Sequence, residues 1–420
     1  MPLDRIAGVL DTHVAGLHAA GTAKGAETVV SGVRRPEGDR GPRFLLEGEG
    51  DKEFIRMNSN SYLGLGLNPD VIRAEEGGSA EFGAGPGAVR FISGSYSAHL
   101  ELERKLADFH GRESAMLFSS AYACVVATIS SLVTPDTVLI SDALNHNCII
   151  NAMRLSRPAG KVIYDHNSVS GLDAALTEWA GKAKRALIVT DGIFSMRGDH
   201  TPLDKIMEAA ACHDHAYEEN AVVLVDDSHG VGSFGKTGRG VEEFTDSPQV
   251  DILVGTLGKA FGVNGGYVTA PESVINFLRE SSPTYIYSNP ITVGEAKAAL
   301  KAVQIVDSPE GQALLDRLRG LTKRFEEGLG RLGIETIPGE HPVVPLMIRD
   351  TQRTRALVDH LYESGVLVTG LAYPVVPKGD EEIRTQINAD HTEADIDHVL
   401  GLLEAYDGEP QRVNSTGDSP

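Results

Sequence analysis

Cysteine is scarce in this chain. The 420 residues contain only three, Cys124, Cys148 and Cys212, which are too few and too scattered for a disulfide framework. This scarcity predicts a protein of a reducing compartment, and we expect the cytoplasm. The run CHDH (212–215) ends an amphipathic helical stretch, where consecutive side chains point in different directions. No metal site is expected there.

Basic residues are also in deficit. Lys and Arg number 38 against 59 Asp and Glu, which gives a formal net charge of −21. Nucleic acids and anionic membrane surfaces are bound through clustered basic side chains, so neither is expected as a partner. An acidic protein can still hold one phosphate locally, through backbone N–H groups and a few side chains.

Long apolar runs are missing as well. No stretch approaches the roughly 18 apolar residues of a membrane span. The start, MPLDRIAGVLDTHVAG, has no apolar run behind a basic head, so a secretory signal is not expected. With 41% hydrophobic and 23% charged residues, the composition is typical of a soluble globular protein.

What the sequence does contain is an alternation of short apolar runs with amphipathic helical stretches. It predicts an α/β fold with a mainly parallel sheet and helices on both faces. From about residue 295, long helices, two strands and a final helix predict a smaller α+β domain. We therefore divide the chain into an N-terminal arm (1–55), a large domain (56–295), a small C-terminal domain (296–406) and a disordered tail (407–420). The runs are SAMLFS (114–119), DTVLIS (136–141), KVIYD (161–165), RALIVTD (185–191), AVVLVDD (221–227), DILVGT (251–256) and GYVTA (266–270).

Polar residues follow three of these runs, where ligands bind in open parallel sheets. DDSH (226–229) follows one run, GTLGK (255–259) another and DGIFS (191–195) a third. Pyridoxal phosphate (PLP) needs a lysine amine for its Schiff base and an acid beside its pyridine nitrogen. One lysine and one aspartate at adjacent strand ends could meet both needs. Taken singly, each residue is more typical of a turn or a helix cap, and only their combination is specific.

Eight segments, in order, resemble the α-oxoamine synthases, PLP-dependent fold-type I enzymes that join amino acids to acyl thioesters. The similarity spans roughly residues 55–405. The segments are SNSYLGL (59–65), AVRFISG (88–94), SDALNHNCII (141–150), DGIFSMRGD (191–199), VDDSHGVG (225–232), GTLGKAFG (255–262), YPVVPKG (373–379) and IRTQINADHT (383–392).

The resemblance implies roles around the PLP ring. Lys259 is expected to bind the cofactor and then to move the α-proton of the amino acid. Asp226 is expected to pair with the pyridine nitrogen, and His146 to stack on the ring. His229 and Ser195 are expected to contact the phenolic oxygen of the cofactor.

The resemblance also implies a phosphate site and a second subunit. Backbone N–H groups of Ala121 and Tyr122 at a helix start, with the hydroxyl of Thr256, are expected to hold the phosphate. In this family the site lies between two subunits, so we expect a homodimer with shared active sites. Ser288 and Asn289 would complete the partner's phosphate site.

The substrate carboxylate is expected to contact Asn60 and Arg384, since a planar guanidinium binds a carboxylate through two hydrogen bonds. Two positions depart from the family pattern. Arg197 stands where an acidic residue is usual, and Ser61 stands where Asn or Asp is common.

Two branches of the family compete for the substrate. The segments 373–379 and 383–388 are similar to glycine C-acetyltransferase, which favours glycine and acetyl-CoA with release of CoA. The loop after Lys259 has the length found in the 8-amino-7-oxononanoate synthases. It favours alanine or serine and a longer acyl group, carried by CoA or by an acyl carrier protein. The product is an α-amino ketone or a β-keto acid in either case.

Two other enzyme classes share part of this pattern. Residues 230–237, GVGSFGKT, match the P-loop pattern of NTPases. Gly238 and Gly240 follow at once, however, and glycine is a poor opening for the helix that a P-loop requires. A PLP-dependent aminotransferase shares the expected fold and the Asp–Lys pair, and it is the alternative within PLP chemistry.

Overall fold

The computed structural model describes residues 3–373 and 376–406. It divides into two compact units. The central unit runs from Asn60 to Leu318, and the terminal unit combines the residues before Asn60 with those from Arg319 onward. The predicted tail, 407–420, and two residues of the YPVVPKG segment lie outside the described residues.

Fourteen strands and fourteen α-helices are present in these described residues. The strands are β1 (Val30–Arg34), β2 (Arg43–Leu46), β3 (Glu53–Arg56), β4 (Ser114–Phe118), β5 (Thr137–Asp142), β6 (Gly160–Tyr164), β7 (Arg185–Asp191), β8 (Ala221–Asp226), β9 (Ile252–Thr256), β10 (Gly266–Ala270), β11 (Val343–Met347), β12 (Val366–Leu367), β13 (Thr369–Leu371) and β14 (Glu382–Gln386). The helices are α1 (Asp4–Ala19), α2 (Pro69–Phe82), α3 (Ser97–His110), α4 (Ala121–Leu132), α5 (Asn147–Leu155), α6 (Val169–Trp179), α7 (Leu203–His213), α8 (Val241–Phe244), α9 (Glu272–Ser281), α10 (Pro283–Ile286), α11 (Val293–Val306), α12 (Pro309–Leu332), α13 (Thr351–Glu363) and α14 (Glu393–Glu404). No helix in this part of the chain is both long enough and apolar enough to span a membrane.

The central unit is built on a seven-stranded sheet of order β4-β10-β9-β8-β7-β5-β6. Strands β5 to β9 are parallel, and β10 runs antiparallel to both of its neighbours. Alternate residues of β7 enter different hydrophobic clusters. Leu187 packs with residues of α4 and α5, and Ile188 packs with residues of α6 and α7. Helices therefore cover both faces, and the predicted mainly parallel α/β sheet is confirmed.

The carboxyl ends of three central strands meet at one edge of the sheet. Asp191 ends β7 and is paired in register with Asp226, which ends β8. Asp226 is in turn paired with Val254 of β9, two residues before Thr256. The polar residues that follow these strands are thereby placed side by side.

The terminal unit draws its strands from both ends of the sequence. Its four-stranded sheet has the order β1-β2-β3-β12, and a three-stranded sheet has the order β11-β14-β13. β3 pairs in parallel with β12, with Ile55 opposite Val366. The predicted division, with an arm over 1–55 and a small domain over 296–406, differs from this grouping, because the pairing joins residues far apart in sequence.

The C-terminal limit of the central unit also lies beyond residue 295. Helix α11 buries an alanine-rich face that includes Ala296 and Ala299. It packs closely on α2, since a Cβ on Gly78 would lie 3.0 Å from the Cα of Gly294. Glycine at this crossing lets the two helix backbones approach, which holds α11 in the central unit.

Candidate active site

A cavity of about 260 Å³ lies in the central unit and includes the carboxyl ends of β8 and β9. All four predicted catalytic residues line it, as do the predicted cofactor contacts Ala121, Tyr122, Ser195 and Thr256. The lining residues are Ser120, Ala121, Tyr122, His146, Cys148, Asp191, Ile193, Ser195, Asp226, Ser228, His229, Thr256 and Lys259.

One wall of the cavity is the start of helix α4. The side chain of Ser120 caps this helix by accepting the N–H of Ala123 at 3.1 Å. The first N–H groups of a helix have no partners within it, and the helix dipole favours a negative charge at this end. The N–H groups of Ala121 and Tyr122 therefore suit an anion, and the cavity also includes the hydroxyl-bearing side chain of Thr256.

Three protein donors hold the carboxylate of Asp226. Oδ1 accepts the N–H of Ser228 at 3.1 Å and its hydroxyl at 2.5 Å. Oδ2 accepts the thiol of Cys148 at 3.5 Å. These bonds fix the orientation of a carboxylate that is only 7% exposed. A fixed, largely desolvated acceptor of this kind suits a positively charged ring nitrogen.

The buried acid Asp191 positions the turn that carries His146. Its Oδ2 accepts the His146 N–H at 2.9 Å, and its own N–H donates to Asn145 Oδ1 at 2.8 Å. Asn145 also donates to the carbonyl of Val189, at 2.8 Å. Burial, reinforced by the charge of Asp226, raises the pKa of Asp191 well above its usual range. The turn after β5 is thereby tied to β7.

His146 begins helix α5 as its N-cap. Its Nδ1 accepts the Cys148 N–H at 3.3 Å and lies 2.9 Å from the Cys148 sulfur. Burial lowers the pKa of His146 and the nearby Lys259 lowers it further, although Asp226 opposes them. A neutral imidazole is the form that we expect against the face of an aromatic ring.

Lys259 stands in a compact turn after β9. Its carbonyl accepts the Gly262 N–H at 3.0 Å, and the Leu257 N–H donates to Gly265 at 3.0 Å. Gly262 has φ of +72°, and a Cβ there would lie 2.2 Å from the nitrogen of Gly66. Only glycine fits that position, so the turn that presents Lys259 depends on Gly262.

Ser195 lies on a short hairpin, residues 192–201, which is braced from outside the cavity. The Phe194 N–H donates to the Asp199 carbonyl at 2.9 Å. His166 lies between two carboxylates, with Nδ1 3.1 Å from Asp142 and Nε2 3.2 Å from Asp199. Its ring also meets Phe194 edge-on, at 4.3 Å between centroids. The unusual Arg197 is accommodated here, because its Nε donates to Asp199 at 2.8 Å.

The charge on His166 makes this brace sensitive to pH. Burial disfavours the charge, but the hydrogen bonds to Asp142 and Asp199 outweigh it and raise the pKa from the ordinary 6.5 to about 9. The charged His166 therefore stabilises the fold fully below pH 6.5, and this contribution is lost as the pH rises through 9.

We expect His166→Gln to lower the free energy of unfolding by about 1–2 kcal/mol at pH 6 and by less at pH 9.5. Urea unfolding at both values measures this, and an equal loss at both would contradict it.

Four predicted residues do not line the cavity of the single chain. Ser288 and Asn289 follow α10, in a stretch where the neighbouring Tyr287 is 79% exposed. Asn60 begins the central unit and is linked through Tyr62 to the cavity residue His229. Arg384 lies in β14 of the terminal unit, between β11 and β13. The roles assigned to these four residues stay predictions.

Several lining residues were not predicted. Asp191 and Ser228 could have been predicted, because Asp191 ends β7 and Ser228 follows β8, the strand that ends at Asp226. Cys148 could not have been expected from the sequence beyond its place two residues after His146, since its contact with Asp226 forms only when α5 meets the end of β8.

The segment that matches the P-loop pattern, residues 230–237, is held by hydrogen bonds within the protein. Asp227 is fully buried beneath this segment, where its Oδ2 accepts the Val241 N–H at 2.8 Å and its carbonyl accepts those of Gly230 and Val231. Burial raises the pKa of Asp227 well above its usual range. The Thr237 N–H donates to Glu243. These N–H groups therefore donate to acceptors within the protein and do not form a phosphate site. The helix that follows, α8, has only four residues.

The donor set fits PLP. An amine, a fixed carboxylate and a helix N-terminus line one cavity, and each suits a different part of that cofactor. Across residues 3–373 and 376–406, no group of three or more His, Cys, Asp or Glu is arranged to hold a metal ion.

Known proteins resemble the chain along most of its length. The family described as aminotransferase class I and II matches residues 52–403. Mitochondrial 2-amino-3-ketobutyrate coenzyme A ligase of Mus musculus is 37% identical over 394 residues, which cover 93% of this chain and 90% of that protein. An 8-amino-7-oxononanoate synthase of Symbiobacterium thermophilum is 39% identical, covering 89% and 93%. The structure of serine palmitoyltransferase from Sphingomonas wittichii has a TM-score of 0.85 at 27% identity, covering 96% and 97%.

Proposed function

The chain belongs to the α-oxoamine synthases, within the class I and II aminotransferase family, and we propose that it joins glycine to acetyl-CoA. The products would be 2-amino-3-ketobutyrate and free CoA. The relatives confirm the predicted family, the fold type, PLP as the cofactor and a PLP-dependent acyltransferase as the class of enzyme.

The observation that carries the proposed site is the meeting of Lys259 and Asp226 in one cavity, on the ends of adjacent strands. When bound, PLP supplies an electron sink for the negative charge that forms on the α-carbon of the amino acid. Asp226 holds a positive charge at the pyridine nitrogen. The neutral ring of His146 covers one face of the site, and the start of α4 holds the phosphate.

Lys259 has two tasks in this proposal. Its amine binds the cofactor in the resting enzyme, and after the amino acid displaces it, the same amine takes the α-proton. In the overall reaction the α-carbon loses that proton and forms a bond to the thioester carbonyl carbon. The carbon–sulfur bond breaks, and the sulfur leaves as CoA.

Glycine and acetyl-CoA are favoured by the name of the mouse relative, which specifies 2-amino-3-ketobutyrate and coenzyme A. A second candidate is alanine or serine with a longer acyl thioester. It is supported by 8-amino-7-oxononanoate synthases of 36–39% identity and by the short loop after Lys259. A hydrophobic pocket rejects one extra methylene by only about 10–200-fold, so we expect relaxed acyl length with either substrate.

A homodimer is part of the proposal. Asn289 is exposed in the single chain, beside the highly exposed Tyr287, as expected for residues that serve a second subunit. The partner's copies of Ser288 and Asn289 would complete the phosphate site. A cytoplasmic location is proposed from the low cysteine content.

The substrate pair is tested by comparing kcat/KM for glycine with acetyl-CoA against alanine with a long-chain acyl-CoA. We expect the first pair to be preferred, with a product of the mass of 2-amino-3-ketobutyrate or of its decarboxylated form. Product mass is the primary measurement, because the exposed Cys212 would itself react with a thiol reagent used to detect CoA.

Two outcomes would change the assignment. A tenfold or greater preference for the second pair would replace glycine and acetyl-CoA while leaving the family unchanged. Transfer of the amino group to a keto acid, without release of CoA from either pair, would favour the aminotransferase.

A further inference from the structure

Tyr62 lies behind the cavity and bridges two of the predicted site residues. Its side chain is completely buried. Its hydroxyl oxygen lies 2.7 Å from Nδ1 of His229 and 3.3 Å from Oδ1 of Asn60. His229 lines the cavity, and Tyr62 does not. The hydroxyl therefore connects a cavity histidine to the residue predicted to contact the substrate carboxylate.

The contacts of the Tyr62 hydroxyl bear on which ring nitrogen of His229 carries the proton. When the His229 ring is neutral, the Tyr62 hydroxyl can donate to Nδ1, which leaves the ring proton on Nε2, or it can accept from Nδ1 and donate to Asn60 Oδ1. The 2.7 Å contact suits a strong O–H···N bond, whereas 3.3 Å to Asn60 is long for an O–H···O bond, so the first arrangement is favoured. When the ring is protonated, Nδ1 donates to the Tyr62 oxygen, and the hydroxyl donates to Asn60 Oδ1. Nε2 carries a proton in the favoured neutral form and in the charged ring.

We propose that Tyr62 is a positioning residue that keeps Nε2 of His229 a hydrogen-bond donor. This inference rests on the proposed function, in which His229 contacts the phenolic oxygen of PLP. That oxygen needs a donor when it is ionised.

The test removes only the hydroxyl, with Tyr62→Phe. The chain offers a matched control in Tyr267, which is also fully buried and whose hydroxyl lies 2.9 Å from Nε2 of His110. Neither Tyr267 nor His110 lines the cavity. Tyr267→Phe therefore deletes the same kind of bond in another part of the central unit.

The first measurement is the dissociation constant of PLP from each purified variant, obtained by equilibrium dialysis. We expect Tyr62→Phe to weaken PLP binding about tenfold, the effect of one hydrogen bond of about 1.4 kcal/mol. Tyr267→Phe should bind PLP as the wild type does. In a His229→Gln background the Tyr62→Phe substitution should have no further effect, because Tyr62 acts through His229.

The second measurement does not need the cofactor. Nitrogen NMR of cofactor-free protein with labelled histidine reports which ring nitrogen of His229 carries the proton, and the His229→Gln variant assigns its signals. We expect the Nε2–H form in the wild type and in Tyr267→Phe, and a mixture of forms in Tyr62→Phe.

The outcomes separate the two proposals. A wild-type protein that takes up no PLP would contradict the proposed function, and the NMR measurement would still decide the role of Tyr62. If the wild type binds PLP but Tyr62→Phe changes neither the affinity nor the His229 signals, the inference is wrong and the function stands. A Tyr62→Phe effect that persists in the His229→Gln background would equally overturn it.

Discussion

Lys259→Ala is expected to lower the rate of CoA release on the order of 10³–10⁴-fold, because it removes the group proposed to move the α-proton. The wild-type protein should also gain the mass of PLP on a peptide containing Lys259 after borohydride reduction, and the variant should gain none. Steady-state kinetics and peptide mass spectrometry measure the two effects on the same preparations.

Lys236 provides the control. It is the exposed lysine of the segment that matches the P-loop pattern. Lys236→Ala should leave both CoA release and cofactor attachment unchanged. If instead Lys236→Ala abolished activity while Lys259→Ala retained it, the proposed site would be misplaced.

Asp226→Asn is expected to separate binding of PLP from its chemistry. The amide keeps the shape of the side chain but removes the charge that raises the pKa of a neighbouring cation by roughly 1–3. The variant should retain PLP and lose exchange of the glycine α-proton by on the order of 100-fold. Exchange into deuterated water, followed by NMR, measures this without an acyl donor.

The adjacent Asp227 is a close control. It is buried under the glycine-rich segment and does not line the cavity. Burial raises the pKa of Asp227, so an asparagine resembles the protonated acid. Asp227→Asn should therefore exchange the glycine α-proton at the wild-type rate. Normal exchange in Asp226→Asn would remove Asp226 from its proposed role.

The strand ends explain why much of this site could be predicted from the sequence. Parallel strands bring their carboxyl ends to one edge, so Lys259 and an aspartate were expected together from the pattern of apolar runs. The family resemblance then selected Asp226. The family resemblance added His146 and Ser195, which also line the cavity. The sequence offered no physical reason to choose between Asp226 and Asp227. Their different depths of burial come from the fold of the glycine-rich segment.

Other features depend on contacts that have no local signature. Tyr62 meets His229 across 167 positions of the chain. His166 reaches two carboxylates, Asp142 at the end of β5 and Asp199 in the hairpin 192–201, and neither partner is marked by spacing or composition. The pairing of β3 with β12 joins residues that lie still farther apart in the sequence. Propensity and periodicity describe neighbours in sequence, and these contacts are set by packing.

That last pairing has a consequence for synthesis on the ribosome. Every strand of the seven-stranded sheet lies between Ser114 and Ala270, so the central sheet can be completed while the chain is still growing. β3 must wait for β12, about 300 residues later, which takes about 15–60 s at 5–20 residues per second. During that interval Phe54, completely buried in the finished protein, has no partner strand on that side. Until β12 has been made, the unpaired edge of β3 is therefore open to pairing with other chains.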